Sequence, residues 1–171
     1  MEERKIALIP RLTVTAVLGP KDYGVLLTDQ RIILVMERSS KANVLGAAFG
    51  VVGTIAAEAV ATERGVDYMN LRPEQLACDE NNLCIPYASI RKVRLKRHFV
   101  GTCEMTIEHV RPDGKTKKIV GILTVPDQQM DYKRGSGMKF DAINKEYAMK
   151  AQEVLRKALP PGVQQHTEWF E

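Results

Sequence analysis

The run Arg111-Pro112-Asp113-Gly114-Lys115 constrains this chain most, because it fixes a tight reversal between two alternating segments. Asp-Gly reaches the positive backbone φ of a hairpin turn at little cost. Before it, Thr102 to Val110 places Cys103, Met105, Ile107 and His109 on one side and Thr102, Glu104, Thr106 and Glu108 on the other. After it, residues 116–123 read as the returning strand. A period of two on both sides of such a turn predicts an antiparallel pair with one buried face.

The same reading extends along the chain. Residues 12–18, 23–28 and 31–37 are strand candidates, broken by Gly19-Pro20 and by the polar turn Thr28-Asp29-Gln30-Arg31. They form a meander. Residues 83–87 and 90–97 are two more strands, for about seven in all. From Met138 the period changes: Phe140, Ile143, Tyr147, Ala151, Val154, Leu155 and Ala158 recur at helical spacing, and Pro160-Pro161 stops the helix. Between the third strand and Pro73 lies an Ala/Gly/Val-rich stretch. In residues 42–61 its polar side chains are Asn43, Thr54 and Glu58.

The predicted architecture is therefore mainly β with α. It is a partly open antiparallel barrel of about seven strands, capped by a C-terminal amphipathic helix at 138–158. A Gly/Ala-rich helical insertion (39–75) follows the third strand, and a polar tail spans 160–171. At 171 residues the chain is one domain, 1–171. The expected core is Val14, Val17, Leu26, Ile32, Leu34, Val93, Leu95, Met105, Ile107, Ile119, Phe140, Ile143, Tyr147 and Leu155.

Two segments carry a resemblance. Asp22-Tyr23-Gly24-Val25-Leu26-Leu27-Thr28-Asp29-Gln30-Arg31-Ile32-Ile33-Leu34-Val35 resembles the G-x-L-x-x-T-x-x-R hairpin of prokaryotic pleckstrin-homology-like (PH-like, GRAM-like) domains. Ile85-Pro86-Tyr87-Ala88-Ser89-Ile90-Arg91-Lys92-Val93 resembles their I-P-Y-x-x-I-x-x-V strand entry. The resemblance covers residues 12–37, 83–123 and 138–158. It implies a binding or scaffolding module and names no ligand, since such folds host many functions. Phosphoinositide recognition is not supported, because the first loop, Gly19-Pro20-Lys21-Asp22, carries one lysine and one aspartate. Within the turn, Arg31 is expected to clamp carbonyls.

No P-loop, GxSxG, HExxH or EF-hand loop occurs, and neither catalytic residues nor cofactors nor metals are expected. Cys78, Cys84 and Cys103 form no CxxC, which suggests reduced thiols in a cytoplasm. Two features remain as candidate sites. Residues 91–118 hold nine basic and three acidic side chains, a larger surplus than the +4 of the whole chain. Within them Lys92, Arg94, Lys96, Lys115, Lys117 and Lys118 are candidates for an anionic membrane surface. Interleaved aromatics are nearly lacking, so no nucleic acid is expected. In the insertion, Val44, Leu45, Gly46, Phe49, Gly50, Val52 and Gly53 are candidates for self-association, because a smooth apolar helix cannot hide its whole circumference against one barrel. Packing on the barrel alone, a membrane-inserted hairpin and a transmembrane helix are the other readings of residues 42–61. The expectation is a self-associating or protein-binding module in the cytoplasm. The alternatives are a peripheral membrane module and an unrecognised enzyme.

Overall fold

The computed structural model describes residues 2–16, 19–39, 62–63, 66–68, 70–98, 102–123 and 137–171. Nine strands are present among them: β1 (Lys5–Ala16), β2 (Gly19–Thr28), β3 (Arg31–Ser39), β4 (Thr62–Glu63), β5 (Leu83–Pro86), β6 (Ile90–Arg97), β7 (Cys103–Val110), β8 (Thr116–Leu123) and β9 (Thr167–Glu168). The helices are α1 (Pro73–Ala77), α2 (Gly137–Ala158) and α3 (Pro161–Gln164). The fold is mainly β with a few helices.

The strands form one sheet in the order β4-β3-β2-β1-β8-β7-β6-β9, with β5 also paired to β3. The first and last strands of this order are not paired with each other, so the sheet is open. It is also mixed. The expected all-antiparallel arrangement fails at one place, where β9 runs parallel to β6 through Val93–Thr167 and Arg94–Glu168.

Sequence explains the two halves differently. In β6 and β7 the alternation holds except at Thr106, which is buried between Met105 and Ile107. Val93, Leu95, Cys103, Met105 and Ile107 are buried, and the residues between them are mostly less so. In β2 and β3 the apolar runs are continuous, which marks strands covered on both faces. Val25, Leu27, Ile32 and Leu34 enter the main core, whereas Leu26, Ile33 and Val35 enter a second cluster closed by Leu76 of α1 with Val66, Tyr68 and Leu71.

β1 is longer than its alternating segment indicates. It begins at Lys5 and bends at Pro10-Arg11, where two residues oppose one on β2 between the pairs Ile9–Val25 and Leu12–Tyr23. Such a bulge bends the strand and re-aims its far half. Arg11 takes φ +56° there. The far half then meets β8 through Leu12–Leu123 and Thr13–Ile122. Gly121 permits this approach, because a Cβ would stand 2.9 Å from the Thr13 carbonyl oxygen.

α2 lies on the main core through Ala148, Ala151, Leu155 and Ala158. Its buried line also holds Asn144, while Ile143, expected in the core, is 47% exposed. Successive helix residues are rotated by about 100°, so a line through 144, 148, 151, 155 and 158 leaves 143 on the flank. Tyr147 packs at the margin and donates its hydroxyl to the Pro10 carbonyl. Val14 is partly buried, and Leu26 belongs to the second cluster. Ile32, Leu34, Val93, Leu95, Met105, Ile107, Ile119 and Leu155 are buried in the main core. Val17 and the side chain of Phe140 lie outside the described residues.

Candidate functional site

β6 carries Lys92, Arg94 and Lys96 on the face opposite Val93 and Leu95. In register, Lys92 stands opposite Glu108 and then Lys118, and Lys96 stands opposite Glu104. Acids on β7 therefore separate the cations. Arg94 pairs with Glu104 (3.1 Å), which also lies 3.5 Å from His98 and accepts a bond from Thr106 Oγ1 at 3.3 Å. Burial is the largest influence on Glu104 and pushes its pKa upward. The bond and charge of Arg94, with smaller help from His98 and Thr106, outweigh it and hold the carboxyl below its usual range. Lys92 pairs with Glu168 at 2.5 Å. Glu168 comes from β9, and neither composition nor period pointed to it.

The six basic candidates do not form one patch. Lys92, Arg94, Lys96 and Lys118 share the outer face, where Glu104, Glu108 and Glu168 leave them a surplus of one charge. Lys117 pairs in register with His109, on the side of the buried Ile119. Lys115 belongs to the turn, its N–H donating to Asp113 Oδ1 at 3.1 Å. A continuous cationic surface is not what these strands present.

The turn at Thr28–Arg31 also differs from expectation. Among the described residues, the Arg31 guanidinium bonds a carboxylate and not the turn carbonyls. It makes a forked pair with Glu3, with Nε at 2.9 and 3.1 Å from the two carboxylate oxygens and Nη2 at 2.5 Å. Thr28 supplies the turn chemistry: its Oγ1 accepts the N–H groups of Gln30 and Arg31 and lies 2.6 Å from Glu3 Oε1. The hydrogen bond from Arg31 holds the buried Glu3 carboxyl below its usual pKa, against the upward push of burial. This arrangement locks the start of β1 to the β2–β3 turn. Every charge in it has a partner, so it works as a fastening.

The thiols are free. Cys78 is exposed at the end of α1, Cys84 is half-buried, and burial pushes Cys103 up to about 12. Among the described residues, no three His, Cys, Asp or Glu side chains gather in a way that could hold a metal ion. Among them, too, no helix is long and apolar enough to cross a membrane.

The self-association candidates Val44, Leu45, Gly46, Phe49, Gly50, Val52 and Gly53 lie outside the described residues. Their attachment is described. β3 and β4 pair antiparallel through Arg38–Glu63 and Ser39–Thr62, so the residues on either side of 40–61 stand next to each other in the sheet.

No family model matches the sequence, and no curated protein matches it.

Proposed function

We propose that the chain is a non-catalytic interaction module of PH-like fold that self-associates through its Gly/Ala-rich insertion. The observation that carries this reading is the pairing of Ser39 with Thr62. Paired strand residues stand about 5 Å apart. A straight helix of about 20 residues separates its ends by about 30 Å. The pairing thus supports an excursion that returns to its origin and weighs against a helix that crosses a bilayer once.

An excursion this apolar, tied to a sheet edge, needs a cover. A second copy offers the same smooth surface, and a two-fold arrangement would let each insertion cover the other. The interleaving of Glu104, Glu108 and Glu168 among the basic residues weighs against an electrostatic membrane site.

Sedimentation equilibrium in detergent-free buffer tests the reading. The intact chain is expected to exceed its monomer mass of 19.2 kDa as concentration rises, and Phe49→Asp is expected to return it to the monomer. A chain that stays monomeric at high concentration would refute the proposal.

A further inference from the structure

The outer edge of β6 is a strand edge eight residues long, and β9 bridges only Val93 and Arg94 of it. The bridging segment is short but is read from both sides. Val93 N–H donates to the His166 carbonyl at 3.1 Å. From the other side, the Gln152 amide of α2 imitates a neighbouring strand: its Nε2 donates to the Phe170 carbonyl (3.0 Å), and its Oε1 accepts the Phe170 N–H (3.1 Å).

Side chains are read as well. Glu168 meets Lys92, the Arg156 guanidinium stands over the Trp169 ring at 5.1 Å, and Trp169 and Phe170 pack against the main core. Both aromatics remain only partly buried. The segment lies at the rim of the sheet on half-buried anchors, and its contacts are mostly with solvent-accessible groups, so it opens at lower cost than the sheet beneath it.

We infer that the groove between β6 and α2 is a docking site for an extended peptide of a partner protein, one carrying an acidic residue followed by two aromatic residues. Residues 166–170 occupy it in cis and compete with that partner. Strand addition supplies affinity through the backbone, and alternate side chains supply selectivity. Lys92 selects the acid. Arg156 selects the first aromatic through its ring face. This surface shares no residue with the insertion 39–75, so its failure and that of the self-association reading are separable.

The chain has a single tryptophan, Trp169, which makes the groove directly observable. The probe is a synthetic peptide of residues 165–171 with its tryptophan replaced by phenylalanine. Added to the intact chain, it is expected to displace residues 166–170 and shift Trp169 emission to the red. Half-displacement should need about millimolar peptide, because a short tether holds the cis segment at about that effective concentration. A labelled copy should bind the full-length Phe170→Ala variant about tenfold more tightly and should lose that gain when Gln152→Ala is added.

Unchanged Trp169 emission in the intact chain, together with no binding to a folded Phe170→Ala variant, would overturn the inference. Equal binding of a scrambled peptide would do the same. Dimers of the intact chain that the probe dissolves would show that the occupant is residue 166–170 of a second copy, which overturns the assignment to another protein.

Discussion

Asn82 stands in for a strand beside Met36. Its Oδ1 accepts the Met36 N–H at 2.8 Å, while its Nδ2 donates to the Leu76 carbonyl at 2.8 Å. β5 covers residues 31–34 of the β3 edge, and β4 covers residues 38 and 39. Asn82 fills the gap between them, so it completes that edge and ties α1 to it. Edges left open invite pairing with other chains.

Asn82→Ala is expected to destabilise the fold by about 2 kcal/mol, because the buried Met36 N–H loses its partner while the Leu76 carbonyl keeps the Asp79 N–H at 3.4 Å. Urea denaturation monitored by circular dichroism measures it. Aggregation through the opened edge should accompany the loss. A change within about 0.5 kcal/mol, the range of ordinary surface substitutions, would contradict the assigned role.

Acid should weaken the protein in two stages. His109 is held below its usual pKa, first by burial and then by the charges of Lys117 and Arg111. The unfolded chain therefore takes up that proton first, and stability falls as pH drops below about 6.5. Glu3 is held down chiefly by Arg31. Its contribution is complete above the ordinary carboxylate value and is lost as pH falls through the lower folded value. His109→Gln should flatten the upper part of the profile and Glu3→Gln the lower part, in melting temperatures recorded from pH 7 to 3. A slope unchanged by either substitution would sink the assignment.

The face of α2 can be tested by paired substitutions. Leu155 is fully buried, and Leu155→Asp should cost about 4 kcal/mol or prevent folding. Ile143→Asp should stay within about 1 kcal/mol. Asn144 is buried with no partner for its Nδ2 among the described residues, so Asn144→Leu is expected to be neutral or to stabilise by about 1 kcal/mol. Thermal unfolding of the three variants decides between this line of burial and one centred on Ile143.

Legibility followed physical period. β6, β7 and β8 were readable because one face is buried and the turn at Gly114 takes its positive φ of +78°. The first half of β1 was not, since the bulge at Pro10-Arg11 interrupts the alternation that defines the second half. β9 was invisible because two residues carry no period, and its partner β6 precedes it by more than 70 positions. The basic residues were legible as a surplus, but their separation depended on register. Glu108 lies between Lys92 and Lys118 only once three strands are aligned. The Glu3–Arg31 pair escaped notice for a similar reason: the partners lie 28 positions apart and a lone glutamate announces nothing.

The central claim is self-association through the insertion, and the Ser39–Thr62 pairing makes it directly testable. Residues so paired can be joined by a two-residue Asn-Gly turn. Replacing residues 40–61 with that turn should leave the sheet and its melting temperature intact. Light scattering in detergent-free buffer should then give a multimer for the intact chain and a monomer for the shortened one. Equal masses for the two, with both folded, would contradict the account.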